Sequence, residues 1–535
     1  MGRVLVFLFD FLALGVATWL AYKLAMYGRR EKYLPPGPPT TFLLGNLRDI
    51  PPKKAFHTLV GWAREYGEIH SLKLGHKTTI VLNSPAAVEA IMEKGSRVTQ
   101  NRPKMWLFDH YMYDHDQVIF SSVPSKVYKL RRVLVTFLSQ TTTQTYIPIQ
   151  ESESCQLLYD IMLHPDSFFN NIKRFTISLM FSLSYGIRAP RFESPLAALF
   201  YEDTDKLNEL VADVSALLDF VPILRVMPNW LVSWRKQTDL IKSQEREMTS
   251  ELMDNLLSRR RETGGGTNSF MEQILDNPKE FGLSENMMHT LPLIMLQAGA
   301  GTTASAMLSV ILLLVGQDEV LAKAHAELDI AVGRDRLPTI SDMEHLPYIQ
   351  AIIKESERLR PINPLGFPHA ATEDQTYDGY LVPAGATVLY NTWALSHDPA
   401  LFPDPEKFMP ERWLDPTVRH ANIWPFGFGR RVCPGMHLAK NSVALVITRL
   451  LWAFDIKKKV DQATGRDIDV DTLDYAEGVV LCPNKFPATF ILRSKENGET
   501  IRHETREAIP QLERYNLGMA QSDKDFVQQS RIALY

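Results

Sequence analysis

The chain has 535 residues, of which 45% are hydrophobic and 22% are charged, and its formal net charge is -4, which is typical of a globular protein with a sizeable core. A net negative charge offers no basic excess to neutralise phosphates, which argues against nucleic acid as a partner. The three cysteines, Cys155, Cys433 and Cys482, are scattered and odd in number, which excludes a disulfide framework and a CxxC-type zinc site and indicates a reducing compartment.

The chain begins with an apolar segment, residues 4–22, in which Asp10 is the only charge. Its length matches the roughly 20 residues that cross a bilayer core. The segment is longer than the apolar part of a usual secretory signal and lacks a clear small-residue cleavage site. Basic residues are more numerous after it than before it, namely Arg29, Arg30 and Lys32 against Arg3. The positive-inside rule therefore predicts that residues 1–33 form a single membrane anchor with a basic flank and that the body is cytosolic.

A proline-rich hinge, residues 34–39, follows the anchor, because each proline fixes φ and removes an amide donor. Alternating polar and apolar residues then predict a β-hairpin over 69–83. Helical periodicity dominates the rest, at residues 84–94, 125–138, 207–218, 236–261, 318–332 and 348–359. Short β-like segments return late, at residues 379–388 and 478–492. These patterns predict a mainly α (α+β) fold with small sheets over residues 40–493, and a polar C-terminal extension, 494–535, that covers the surface or frays.

The segment at residues 291–315 carries no charge and is long enough to be read as a second membrane span. Polar residues lie at its centre, including Gln297 and Thr302, and this better suits a buried helix that passes a cofactor. A rival interpretation takes 293–296 as a strand and 299–304 as a G-x-G-x-x-A dinucleotide loop, which would make the protein a Rossmann oxidoreductase. No clear following strand ends in an acidic residue about 20 positions on, so the rival is disfavoured.

The stretch PFGFGRRVCPG, residues 425–435, surrounds one cysteine with glycines, arginines and aromatics. Glycines allow the backbone to approach a flat ligand closely, and loop amides before a helix would stabilise a thiolate on Cys433. Three other interpretations remain open from the residues alone. Cys433 is an inert small hydrophobe, a metal ligand together with His437 four residues on, or a nucleophile with a histidine base.

The pattern Phe426-x-x-Gly429-x-Arg431-x-Cys433-x-Gly435 resembles the haem-binding signature of the cytochrome P-450 family. Three further motifs stand in that family's order along the chain: AGAGTT at 298–303, ESER at 355–358 and FMPERW at 408–413. The resemblance extends from the anchor and the hinge to about residue 493 and is closest to fungal membrane-bound members. It implies a cytochrome P-450 fold.

The resemblance also implies a set of site residues. Cys433 would be the axial ligand of the iron of haem b, and Thr302 would take part in proton delivery during catalysis. Arg431 and His369 would contact haem propionates, and the loop would be shaped by Phe426, Gly429 and Gly435. Glu355, Arg358 and Arg412 would form a structural brace, and the first two lie three apart and so share a helix face.

Two positions depart from the family pattern. Gly301 stands where the family usually has an acid next to the threonine, so proton relay must run through Thr302 and water or use another acid. An early helix motif that usually begins Trp-Arg begins here with Val127-Tyr128. One propionate contact is therefore lost or is supplied by Tyr128, Arg131 or Arg132.

The function implied by the resemblance is a monooxygenase that uses haem, dioxygen and electrons from NADPH to hydroxylate or epoxidise a lipophilic small molecule, as in fungal secondary metabolism. The electrons would come from a separate reductase, because the chain shows no flavin or iron–sulfur motif. The expected location is the endoplasmic reticulum membrane, with the catalytic domain cytosolic. A basic docking face for the reductase is expected from Arg131, Arg132, Arg430, Arg431 and Lys440.

Three segments, 105–123, 212–228 and 477–481, are expected to border the substrate pocket, by analogy with the family. An alternative keeps the haem but makes the protein an isomerase or dehydratase that uses no dioxygen, which Gly301 favours and Thr302 disfavours. The Rossmann oxidoreductase is the remote alternative.

Overall fold

The computed structural model describes residues 11, 12, 14–19, 21–23, 26–51, 53–210, 214–264, 266–415, 422–476, 478 and 480–534. The chain divides into two compact units, each made of three separate segments. The first unit comprises Met1–Pro103, Pro364–Leu401 and Ala421–Val432, and the second comprises Lys104–Asn363, Phe402–His420 and Cys433–Tyr535.

A four-stranded sheet organises the first unit. Its strands run in the spatial order Ile69–Leu74, Lys77–Leu82, Thr387–Tyr390 and His369–Ala370. The first pair is antiparallel, so the hairpin predicted over 69–83 is confirmed, with Gly75 at positive φ in its turn. The second and third strands are parallel, and a separate hairpin pairs Gln375–Tyr377 with Tyr380–Val382. The helices of this unit are Ala55–Tyr66, Pro85–Val88, Ser96–Thr99 and Thr392–Ser396, the π-helix Glu89–Lys94 and the 3-10 helix Gly429–Arg431.

Helices dominate the second unit, as the periodicity predicts. The α-helices are Pro124–Leu138, Gln140–Gln144, Ile147–Leu163, Phe168–Tyr185, Pro195–Leu210, Ala216–Phe220, Trp234–Thr263, Phe270–Asp276, Pro278–Phe281, Glu285–Leu314, Asp318–Ala331, Pro347–Leu359, Met436–Ala453, Lys495–Glu513 and Gln521–Leu534. The shorter turns are the π-helix Trp106–Met112 and the 3-10 helices Pro165–Ser167, Pro222–Arg225, Ile340–His345 and Pro410–Trp413. Two small hairpins pair Phe454–Lys457 with Thr489–Leu492 and Tyr475–Ala476 with Cys482–Pro483.

The apolar segment at 291–315 belongs to one long helix, Glu285–Leu314, which we call the central helix. It begins at Ser284, whose hydroxyl accepts a hydrogen bond from the Met287 amide at 3.2 Å. Within the described residues it alone is long and apolar enough to span a membrane, but 67% of its most apolar window is buried inside the protein. It is therefore a core helix, and the proposed strand with a dinucleotide loop over 293–304 is wrong, because these residues are helical without a break.

The predicted anchor, residues 4–22, lies partly outside the described residues, namely at 4–10, 13 and 20. The described residues between 11 and 23 are helical, and their apolar side chains are exposed, including Phe11, Trp19 and Tyr22. A membrane anchor remains a prediction for this segment.

The C-terminal extension is helical and packs on the second unit. Helix Lys495–Glu513 contacts helix Ile147–Leu163, and Ile501 on its inner face is fully buried. The Thr505 hydroxyl donates to the Cys155 carbonyl oxygen at 3.3 Å. Of the two outcomes that the sequence left open, the described residues of this helix cover the unit and do not fray.

We expect Ile501→Ala to lower the free energy of unfolding by about 2–5 kcal/mol, because it removes buried methylene groups and leaves a cavity between the two helices. Arg502→Ala, one residue along on the exposed side, is the control and should leave the unfolding midpoint unchanged. Urea unfolding followed by circular dichroism measures both variants. Equal midpoints for the two variants would contradict the packing of this helix.

Candidate active site

The carboxylate of Glu355 joins two helical segments of the second unit. Its Oε2 accepts hydrogen bonds from Arg358 Nε and Trp413 Nε1, both at 2.9 Å. Its Oε1 accepts from Arg358 Nη2 at 2.8 Å and from Arg412 Nε and the Met409 amide at 3.0 Å each. The structure therefore brings the three predicted brace residues together and adds two donors from the segment 409–413.

The guanidinium groups of the brace also bind the loop that precedes Met409. Arg358 Nη1 donates to the Pro405 carbonyl oxygen at 2.8 Å, and Arg412 Nη1 donates to the Pro403 carbonyl oxygen at 3.0 Å. Glu355 and Arg358 are completely buried. Removing one partner from a buried ion network is strongly destabilising, because it leaves a buried charge uncompensated.

The glycine-rich loop is positioned in the first unit up to Val432. Gly427 and Gly429 both have positive φ, which disfavours any side chain there. A Cβ atom on Gly429 would lie 2.7 Å from the Ser96 Cβ, so the loop approaches helix Ser96–Thr99 too closely for alanine. Phe426 is half-buried beside these turns.

Two predicted propionate contacts lie in the same unit. Arg431 is half-buried, and its Nε donates to the Gln100 carbonyl oxygen at 2.7 Å. His369 is buried, and its Nδ1 lies 2.6 Å from the Thr99 carbonyl oxygen, to which it donates. Burial first, and then the charges of Arg102 and Arg431, lower the pKa of His369 to about 3. His369 would therefore need a proton on Nε2 to bind a propionate, which a propionate charge would favour.

Cys433 opens the segment that leads into helix Met436–Ala453 of the second unit. Its side chain is accessible to solvent, yet the surrounding protein is dense enough that burial raises the pKa of the thiol. A hydrogen bond from the Gly435 backbone and the positive charge of Arg131 act in the opposite direction. An accessible sulfur with an amide donor and a guanidinium nearby is a donor set that fits the thiolate ligand of a haem iron.

The sequence leaves open whether Tyr128, Arg131 or Arg132 supplies the propionate contact of the missing Trp-Arg motif, or whether that contact is lost. Arg131 is a candidate that interacts electrostatically with Cys433. It is half-buried on helix Pro124–Leu138, burial lowers its pKa, and the interaction with Cys433 raises it. Tyr128 on the same helix is 73% exposed. Of the three candidates, only Arg131 is half-buried, because Arg132 is also exposed, and the contact of Arg131 with a propionate stays a prediction.

The centre of the central helix is more accessible than the buried stretches that flank it at 291–296 and 307–314. Its half-buried residues are Gln297, Ala298, Gly299, Gly301 and Thr302. The Thr302 hydroxyl donates to the Ala298 carbonyl oxygen at 2.5 Å, so its oxygen remains able to accept a proton or a hydrogen bond. A Cβ on Gly301 would meet no heavy atom within 4 Å, so the first atom of a side chain fits at this position.

One buried acid beside this helix was not singled out from the sequence. Glu245 lies at a buried position of helix Trp234–Thr263, between the buried residues Ile241 and Met248. The available signal was an acidic residue within the apolar stripe of an amphipathic helix. Its partners come from distant parts of the chain, which sequence spacing does not reveal.

The donor set around Cys433 fits a haem thiolate, and comparisons with known proteins identify the family. The cytochrome P-450 family model matches residues 35–477. The cytochrome P-450 monooxygenase virE of Hypocrea virens is 35% identical over 507 residues, covering 92% of this chain and 91% of the relative. The monooxygenase patI of Penicillium expansum is 33% identical, with 94% and 96% covered.

A solved zebrafish cytochrome P-450 with progesterone matches with a TM-score of 0.67 at 24% identity, and the match covers 83% of this chain and 100% of that one. This likeness confirms the helix-rich fold with small sheets. The chain belongs to the cytochrome P-450 family and is a haem-thiolate monooxygenase, similar to fungal monooxygenases.

Proposed function

We propose that this monooxygenase hydroxylates or epoxidises a lipophilic small molecule of fungal secondary metabolism, with NADPH-derived electrons delivered by a separate reductase. The observation that carries the proposal is the accessible Cys433 thiol, next to an amide donor and a guanidinium, in a chain that fungal monooxygenases match over nearly their whole length. When bound, haem b supplies the oxidising chemistry that amino acid side chains lack.

In this proposal Cys433 ligates the iron, and Gly435 stabilises the sulfur through its amide. Arg431, Arg131 and a protonated His369 neutralise the propionates. The brace of Glu355, Arg358 and Arg412 fixes the chain that leads to the ligand loop. Thr302 holds a proton at its hydroxyl oxygen.

The substrate is proposed to be apolar. Phe108 in the segment 105–123 is fully buried and stacks on Phe120 with ring centroids 4.8 Å apart, so it belongs to the packed wall. Residues 212, 213, 477 and 479 of the other two segments lie outside the described residues. In the segment 212–228, Leu217, Ile223 and Val226 are exposed. We propose that this exposed apolar surface contacts a membrane, from which a lipophilic compound would enter.

We further propose that the protein is held at the endoplasmic reticulum membrane by residues 4–22, with its catalytic domain in the cytosol. The exposed apolar helix at the described residues between 11 and 23 supports an anchor. Arg132 and Lys440 are exposed and are proposed to contribute to reductase docking, since clustered positive charge steers an acidic partner.

The experiment that tests the proposed function combines two measurements on the full chain in membranes. The reduced protein with carbon monoxide should show the strongly red-shifted Soret band of thiolate-ligated haem. Turnover with reductase and heavy dioxygen should place one labelled oxygen atom in the product. A red-shifted Soret band together with an unlabelled product and turnover without reductase would favour the isomerase or dehydratase instead.

Thr302→Ala should lower product formation per NADPH consumed by ~10²-fold and raise hydrogen peroxide release, because the hydroxyl that holds the proton is lost. The check is a parallel measurement of product, NADPH and peroxide. Thr302→Ser keeps the hydroxyl and should retain most of the coupling. Equal coupling in the alanine variant and the native protein would contradict the role of Thr302.

A further inference from the structure

Glu245 is a carboxyl group buried between three parts of the second unit. Its side chain extends from helix Trp234–Thr263, and the residue is 3% exposed. Its Oε1 accepts hydrogen bonds from the Tyr113 hydroxyl and from Gln297 Nε2 of the central helix, both at 2.8 Å. Both donors are neutral, so neither hydrogen bond supplies the counter-charge that a buried carboxylate needs.

The surroundings of this carboxyl favour its protonated form. Burial is the main cause that raises the pKa of Glu245 to about 8, and the carboxyl of Asp203 on helix Pro195–Leu210 adds to it. The hydrogen bonds from Tyr113 and Gln297 and the charge of Lys242 act in the opposite direction. Lys242 lies on the same helix and donates to the Tyr111 carbonyl oxygen at 3.0 Å.

The partner of Glu245 on the central helix lies one turn before the position where the acid is missing. Gln297 and Gly301 are four residues apart and therefore share a face of the helix. Gln297, Gly301 and Thr302 are all half-buried, so the partner of the buried carboxyl lies on the same accessible stretch of the helix as Thr302. The central helix itself carries no acidic side chain between residues 297 and 305, all of which the structure describes.

We propose that Glu245, held against the central helix by Gln297 and Tyr113, is the acid that supplies a proton to the reaction at Thr302 in place of the side chain that Gly301 lacks. This inference rests on the proposed function. Oxygenation of a substrate C–H bond consumes dioxygen, two electrons from the reductase and two protons, and it yields the hydroxylated product and one water. Glu245 gives one of these protons through water to the Thr302 hydroxyl oxygen, becomes a carboxylate and regains a proton from solvent, while the Gln297 amide only holds the carboxyl in position. It acts through Thr302 and is therefore a positioning residue.

The test uses Glu245→Gln in the haem-loaded full chain, because glutamine keeps the shape and the accepting Oε1 but holds no transferable proton. We expect an unchanged carbon monoxide spectrum, with product per NADPH lowered about tenfold or more and peroxide raised. The native coupling should fall as pH rises through about 8, where Glu245 ionises, and the variant should lack this limb. A purely structural role would leave the glutamine variant coupled.

Two further variants make the test specific. Glu245→Gln combined with Gly301→Asp restores an acid on the accessible part of the helix and should recover most of the coupling, since a Cβ at 301 meets no heavy atom within 4 Å. Glu247→Gln changes an exposed acid of the same helix and should match the native protein.

Infrared spectroscopy gives a readout independent of turnover. The difference spectrum between the native protein and Glu245→Gln should show a protonated carboxyl band at pH 6 that disappears above about pH 8, because the contributions of Asp203 and Glu357 are common to both proteins. Tyr113→Phe removes a hydrogen bond that lowers the pKa and should move this titration to higher pH. Native coupling in Glu245→Gln, or absence of the band, would overturn the inference alone. Absence of the thiolate spectrum in the native protein would overturn the proposed function and this inference together.

Discussion

Replacing Cys433 by alanine should abolish the red-shifted Soret band of the reduced carbon monoxide complex and reduce product formation to background. The sulfur of Cys433 is the proposed iron ligand of the loop, and its side chain is accessible to solvent. Loss of a ligand should cost far more than the roughly 10–100-fold in metal affinity that removal of an outer partner costs. Absorption spectra and haem content of purified protein, together with turnover, measure the effect.

Two variants serve as controls for Cys433→Ala. Cys482→Ala changes a half-buried thiol in the strand Cys482–Pro483 and should keep both the spectrum and turnover. Cys433→Ser keeps the size of the side chain but offers an oxygen in place of sulfur, so it should lose the red shift even where haem remains bound. Native turnover in either Cys433 variant would disprove the assignment of the ligand.

The local sequence pattern was sufficient to predict those elements whose stabilising residues lie close together in the sequence. The period-2 pattern at 69–83 predicts the hairpin, because alternating side chains face the core and the turn follows from Gly75. The spacing of Glu355 and Arg358 predicts a shared helix face, and the structure shows the pair buried. The helix predicted over 348–359 agrees with Pro347–Leu359 to within one residue.

Long-range contacts were not accessible in the same way. The helix predicted from residue 207 already begins at Pro195, while all the described residues within 207–218 are helical and 211–213 lie outside the described chain. Glu245 meets Tyr113 and Gln297 only because three distant segments pack together. The polar composition of the extension after 493 concealed a narrow apolar stripe that includes Ile501. In each case the deciding interaction is tertiary, and a single sequence carries no direct record of it.

The brace of Glu355, Arg358 and Arg412 should make a large contribution to the stability of the protein. Glu355→Gln should lower the free energy of unfolding by about 3–5 kcal/mol, because it leaves the buried guanidiniums of Arg358 and Arg412 without their counter-charge. The glutamine amide would also direct N–H donors toward groups that are themselves donors. We therefore expect a lower urea midpoint and a lower haem content in protein made at the same temperature.

Two control variants show whether the charge of the brace is what stabilises the protein. One is conservative, and the other breaks an exposed ion pair. Arg412→Lys keeps the charge but loses the fork that also binds the carbonyl oxygen of Pro403, so its loss of stability should be smaller than that of Glu355→Gln. Lys323→Gln breaks the exposed ion pair with Glu411 and should leave the midpoint unchanged, because solvent screens such pairs. If Glu355→Gln were as stable as the native protein, the buried ion network would not hold the segment 403–413 in place. A loss in Arg412→Lys as large as that in Glu355→Gln would show instead that the hydrogen-bond geometry, and not the charge, sets the stability of the brace.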